Sequence, residues 1–227
     1  MHVWSIIVAL ATLAVFAFAQ APHESPTMVL PISGVPLSVE RIEEYVSKSP
    51  DGTFTTEIHK SKYYRDAAGR TRMEVESVQP FGDPILTIQL DSRVDGFIAV
   101  VDTQAKLVHR VRFAKGSSPD DWGVGIGPSG LAGASGKTTQ KTEDLGKQSI
   151  GGVECAGSRT TTTVDDQPSL VAVDELWMSK ELGLIGLVKH SGPDGELTSR
   201  IQNVDRTVPD PMLFVIPAEY RIRDMEP

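Results

Sequence analysis

The chain has 227 residues, with 30 acidic and 22 basic side chains, a formal charge of −8 and 40% apolar residues. That length suits one all-β domain. The acidic balance excludes the basic footprint that phosphate-neutralising nucleic-acid binders require. The first 19 residues hold 16 of the apolar side chains, and the remainder supplies one modest core but no further membrane-spanning stretch.

The run from Val3 to Ala19 carries no charge and ends in Ala17-Phe18-Ala19. Small residues at that spacing fit signal peptidase, so a signal peptide is expected over residues 1–19, cleaved after Ala19. The alternative is a retained anchor. Against it, the 17-residue run is shorter than the roughly 20 residues of a spanning helix. No Cys follows the run, so an acylated terminus is excluded. The expected product is exported, periplasmic or secreted, with no integral membrane span in the mature chain. A flexible segment is expected over 20–36 and a single β-rich domain over 37–223. Cys155 is the only cysteine, so no internal disulfide can form. Its neighbours are strand-like, and it is expected to be a buried small hydrophobe.

In chain order, Ser38 to Val46 has helical spacing at Val39, Ile42 and Val46. Pro50-Asp51-Gly52 then leads straight into β-prone residues, so a strand is expected. Thr53 to Tyr64 and Arg70 to Glu76 flank Asp66-Ala67-Ala68-Gly69, a hairpin signature. Ile85 to Leu90 alternates, with Leu86, Ile88 and Leu90 on one face. Phe97 to Val101 and Leu107 to Phe113 form a further hairpin. There Leu107, His109, Val111 and Phe113 share a face.

Residues 114–137 hold seven Gly, four Ser and two Pro, which marks a flexible loop within the domain. Strands follow at Val153–Val164, Leu170–Met178, Leu184–His190 and Glu196–Val204, although Val173 to Leu182 also fits a helix. Gly192-Pro193-Asp194-Gly195 is a turn. Asp210-Pro211 opens a helical turn, with Asp as cap and Pro at the first position. Consecutive strands joined by short turns give a mainly β fold. The expected architecture is a curved antiparallel meander sheet, an open or half barrel with few short helices.

Candidate motifs fail on spacing or context. Gly125, Gly127 and Gly130 match a dinucleotide loop but follow Pro119-Asp120-Asp121 rather than a strand. Gly136-Lys137-Thr138 lacks the earlier glycine of a phosphate loop. Ser135 lacks the second glycine of a nucleophile elbow. His59, His109 and His190 lie on separate strands without the short spacing usual in zinc sites. The acidic pairs Glu43-Glu44, Asp120-Asp121, Glu143-Asp144 and Asp165-Asp166 are expected on solvated faces and turns. Trp177 is expected in the core, and Trp122 borders the Gly-rich loop. No catalytic residue, metal ligand or cofactor is assigned, and the ligand-binding residues stay unknown.

Several segments resemble a group of uncharacterised bacterial secreted proteins. They are Tyr64-Arg65-Asp66 with Gly69 to Glu74, Glu143-Asp144-Leu145-Gly146, Gly152 to Gly157 with the Thr160–Thr163 run, Leu176-Trp177 with Glu181-Leu182-Gly183, and Asp210-Pro211 to Phe214 with Pro217 and Tyr220. The resemblance covers about Leu37 to Tyr220, and no catalytic motif belongs to it. That group is similar in strand pattern to the outer-membrane lipoprotein carriers, whose curved antiparallel sheets hold acyl chains on the concave side. The resemblance implies a lipoprotein-carrier-like sheet, but this chain has few helical periods to form the carriers' lid.

Three functions follow. The first is a non-enzymatic binding module for an apolar ligand such as a lipid or acyl chain, motivated by the faces of Leu86, Ile88 and Leu90 and of Leu107, Val111 and Phe113. The second is a structural or interaction module with an envelope protein partner, using an edge strand. The third is a hydrolase with a dispersed site, for which no nucleophile–base pattern is present.

Overall fold

The structure is a computed structural model that describes residues 32–49, 51–77, 84–113, 137–193 and 195–225. The expected signal peptide, most of the 20–36 segment, the Gly-rich loop up to residue 136, Trp122 and Ser135 lie outside the described residues.

Among the described residues twelve strands form one sheet. They are β1 (Leu37–Lys48), β2 (Phe54–Arg65), β3 (Thr71–Ser77), β4 (Ile85–Ser92), β5 (Phe97–Asp102), β6 (Leu107–Arg112), β7 (Thr138–Ile150), β8 (Val153–Val164), β9 (Gln167–Ser179), β10 (Leu184–Gly192), β11 (Gly195–Asp205) and β12 (Arg221–Met225). The order is β12-β6-β5-β4-β3-β2-β1-β11-β10-β9-β8-β7. Strands β1 to β6 meander outward from the middle, and β7 to β11 meander back until β11 pairs with β1. Every pairing is antiparallel except that of β12 with β6. The ends are not joined, so the curved sheet stays open. Among the described residues the only helical element is a single 3-10 turn, Pro211–Phe214.

Local chemistry explains the turns. Between β2 and β3, the Asp66 carboxylate accepts from the Ala68 and Arg70 amides, both at 2.9 Å. Gly69 then takes a φ of 88° that disfavours side-chain-bearing residues. Asp210 caps the 3-10 turn by accepting from the Met212 amide at 2.9 Å. Ser38 to Val46 is a strand, as expected, and Val173 to Leu182 resolves into the end of β9 and its turn. Two strands were not anticipated: β7, and β12 at the chain's far end. In β7 nearly every residue is exposed, so the alternation that marks a half-buried strand is missing.

The register puts the two apolar clusters on opposite faces around β1–β4. In β1, Leu37 and Val39 point inward beside Arg65 and Tyr63 of β2, and Tyr63 lies across from Met73. These join Ile201, Trp177, Leu182, Leu184, Ile185 and Cys155 in the first cluster. Arg65, at 0% exposure, ties the cluster together. Its guanidinium donates to the Val35 carbonyl at 2.7 Å and to the Leu182 carbonyl in the β9–β10 turn at 2.6 Å. Gly157 lies beneath the Trp177 indole, where an added Cβ would come within 2.5 Å of the ring.

The second cluster holds Ile88, Leu90, Ala99, Val101 and Val108. Ile88 and Leu90 face Glu74 and Arg72 across the β3–β4 ladder, and those face Lys62 and Tyr64 on β2. Tyr63 and Tyr64 are adjacent, so this is the reverse side of the sheet. The segment between β11 and β12 seals it: Ile216 and Tyr220 pack on the cluster. Phe214 is buried with the Arg70 guanidinium over its ring at 5.4 Å, and Arg72 donates to the Leu213 carbonyl at 2.9 Å.

This arrangement corrects one expectation. Alternation in β6 is as anticipated, but the buried residue is Val108, at 0% exposure. Leu107, Val111 and Phe113 are only half-buried. Val108 pairs with Val101 on the sealed face, so the face singled out from sequence is the opposite one.

Candidate functional site

The inward alternation of β1 does not stop at Val39. It continues through Arg41 and Glu43, whose side chains are 2% and 6% exposed and form an ion pair at 2.6 Å. The Arg41 guanidinium also lies over the Tyr63 ring, 5.3 Å from its centroid. Register places Ser61 and Ile201 beside Arg41, and His59 and Ser199 beside Glu43. This corrects the reading of Glu43-Glu44 as a solvated pair. Glu44 is exposed, but its neighbour turns into the core. The sequence does carry the signal: Leu37, Val39, Arg41 and Glu43 are spaced by two, so a strand that buries the first two buries the others.

The polar stripe continues across the same face. His190 pairs with Leu197 on one side and Asp174 on the other, and its Nδ1 is 2.7 Å from Asp174 Oδ1. Leu197 in turn pairs with Tyr45, whose ring meets the edge of His59 at 5.6 Å. Asp174 faces Thr160, and the hydroxyls of Thr160 and Thr142 are 3.1 Å apart. His109 is on β6, on the far side of the sheet order from β10. The three histidines therefore do not converge. Among the described residues no group of three or more His, Cys, Asp or Glu is placed to hold a metal ion.

The stripe contains the ingredients of acyl-transfer chemistry but not their arrangement. Ser199 sits diagonally from His190 in the β10–β11 ladder, a spacing of about 7–8 Å between backbones. Its hydroxyl makes no hydrogen bond, and the residue is 0% exposed. A nucleophile needs a base within hydrogen-bond reach and a path for substrate. Cys155 is equally inert: it is fully buried, and burial pushes its thiol above the usual range.

A groove of about 380 Å³ opens on the other face. It lies where the sheet forks. Strand β2 pairs with β3 only from Ser61 to Arg65, while its first half, Phe54 to Lys60, extends beside β1 alone. Lys60 and Lys62 line the β2 bank, and Glu74, Glu76 and Leu86 line the β3–β4 bank. Glu40 is held at the base by the amides of Asn203 at 2.8 Å and Gln202 at 3.2 Å, which lower its carboxyl below the usual range. Leu86, at 36% exposure, is the outermost of the Leu86, Ile88, Leu90 face. Sequence reading missed the groove, since a fork depends on where a neighbouring strand stops.

No family model and no curated protein matches the chain. The chain is similar to several solved structures. The complex of MucA and MucB from Pseudomonas aeruginosa gives 15% identity and a TM-score of 0.42 over 83% of this chain and 58% of the matched one. The lipoprotein LppX of Mycobacterium tuberculosis gives 11% identity and 0.36 over 76% and 88%. A beta-barrel-like protein of the domain of unknown function DUF1849, from Brucella abortus, gives 10% and 0.36 over 80% and 100%. The chain spans less than two thirds of the MucB structures it matches.

Proposed function

We propose that the chain is an exported, non-catalytic binding module for an apolar ligand, a lipid or acyl chain. The observation that carries this reading is the inequality of the two faces of β4–β6. One face is sealed by Ile216 and Tyr220. The other keeps Ile98, Val111 and Leu107 half-buried and Val100 41% exposed. Ile98 and Val111 sit side by side on β5 and β6, and an acyl chain along them removes apolar surface from water. Export rests on the uncharged Val3–Ala19 run and its Ala17-Phe18-Ala19 end.

The test is uptake of a fluorescent fatty acid by the purified protein. Saturable uptake is expected, with Val100→Asp abolishing it and leaving the melting temperature unchanged. A chain that emerges ligand-free from native mass spectrometry and takes up no probe overturns the reading. A second reading, a protein-interaction module of the envelope, is favoured by the backbone edge of β2, which no strand covers among the described residues.

A further inference from the structure

We propose that the outer edge of Phe54–Lys60 in β2 is a docking site for an extended polypeptide segment. The segment would add as a strand, presenting apolar side chains toward Phe54 and Ile58 and an acidic one toward Lys60.

The backbone carries the first part of the argument. The Ser49 amide donates to the Thr53 carbonyl at 2.8 Å, which makes 49/53 a hydrogen-bonded pair. The β1–β2 register runs from there without a shift. Hydrogen-bonded and non-bonded pairs alternate in an antiparallel ladder, so 47/55, 45/57 and 43/59 are the bonded ones. The N–H and C=O groups of Phe54, Thr56, Ile58 and Lys60 therefore point away from β1. Among the described residues no strand pairs with that side, because β3 joins β2 only at Ser61. The Lys60 carbonyl meets the Glu76 amide where the β3 ladder begins, which leaves Phe54, Thr56 and Ile58 as three outward residues in a row, a template for another chain. A lipid or a small solute cannot complete that ladder.

The side chains carry the second part. Phe54 and Ile58 are 68% and 61% exposed and lie on one face with Thr56 and Lys60. The other two edges of the sheet are defended. Along β7 run the ion pairs Lys141–Glu143 and Lys147–Glu154, and a bulge interrupts it between Asp144 and Gly146. Strand β12 is only five residues long and carries Arg221 and Arg223. The free half of β2 has no register shift and no proline, and it ends at Lys60, which acts on Glu40 through its charge but forms no close ion pair among the described residues. Charge complementarity and two uncovered apolar side chains thus specify the occupant. The groove at the fork gives its end room beside Leu86.

The test uses a fluorescein-labelled peptide of the same length as the free edge, alternating valine with threonine and ending in aspartate. Fluorescence anisotropy with the full chain is expected to saturate. Thr56→Pro removes one outward donor without touching the β1 ladder, and should weaken binding about tenfold while fatty-acid uptake stays the same. Should Thr56→Pro lower the melting temperature, Lys60→Glu decides instead. It should weaken the aspartate peptide and strengthen its lysine counterpart. No binding to the unmodified protein, or equal binding by Thr56→Pro and by Lys60→Glu, overturns the proposal. So does concentration-dependent dimerisation that Thr56→Pro abolishes, which assigns the edge to a second copy of this chain. Because fatty-acid uptake is measured separately, loss of the acyl-chain reading leaves this result standing, and the converse holds.

Discussion

The two halves of the sheet solve the same packing problem in different ways. Around β7–β11, β1 and β2, the first cluster is closed by the chain's own turns. Leu182 of the β9–β10 turn is part of the cluster, and Gly151 of the β7–β8 turn rests on Ile201. That half also buries charge, in Arg41, Glu43 and Arg65. Around β3–β6, the second cluster is aliphatic and is closed by one segment arriving from β11, more than 100 residues along the chain. Both clusters join segments more than 100 residues apart, but the first gathers eleven buried residues and the second five, so more apolar surface leaves water in the first half. The first half should therefore behave as the stable unit and the second as the one that opens.

The largest effect is expected at the buried ion pair. Removing Glu43 alone takes the carboxylate away from the buried Arg41 guanidinium, so Glu43→Ala should cost about 3–5 kcal/mol. Replacing both partners by apolar residues, Arg41→Met with Glu43→Leu, should fall near the unmodified protein or above it, since the desolvation penalty disappears with the charges. Denaturant unfolding followed by tryptophan fluorescence reads both. If the double variant loses as much as the single one, the pair is a net stabiliser and the contrast between a charged and an aliphatic half loses its basis.

Next in size is a cavity in the second half. Leu90→Ala, at a site 2% exposed, should cost about 2–5 kcal/mol. If the halves open separately, amide exchange in β3–β6 rises while the Cys155 thiol stays protected. That thiol is a clean reporter for the first half, since it is fully buried. Burial also raises its pKa, so thiolate is scarce until the cluster opens. Labelling of Cys155 that accelerates in step with exchange in β3–β6 would make the sheet one cooperative unit.

The two halves were also unequally legible in the sequence. Alternation at Leu86, Ile88 and Leu90, the Asp66–Gly69 turn and the Asp210-Pro211 cap are short-range signals, and each formed as expected. What stayed hidden depends on neighbours far along the chain. Nothing local says that the face of Val108 rather than that of Leu107 and Val111 would be sealed, because the sealing residues Ile216 and Tyr220 lie about 100 positions away. The groove was hidden for the same reason, as it exists only because β3 leaves β2 at Ser61. Arg41 and Glu43 are a different case. Their spacing was readable, but a charged residue in a strand is expected in water until the pair itself is seen.

The smallest effect separates the second half's seal from its edge. Strand β12 is held to β6 through Asp224, which accepts from Arg110 Nε at 2.6 Å and Nη2 at 3.1 Å. Those hydrogen bonds hold the Asp224 carboxyl below its usual range. A carboxylate whose folded-state pKa is depressed stabilises fully above its unfolded value, near 3.9. That contribution is lost as pH falls through the lower folded value. Amide protection of Ile222 to Met225 should therefore hold at neutral pH and fade only on strong acidification. Asp224→Asn should fray β12 already at neutral pH and leave β3–β6 protected, because Ile216 and Tyr220, not β12, cover the cluster. If Asp224→Asn instead exposes Ile88 and Leu90, the edge strand rather than the crossing segment is the seal, and the second half's opening begins at β12.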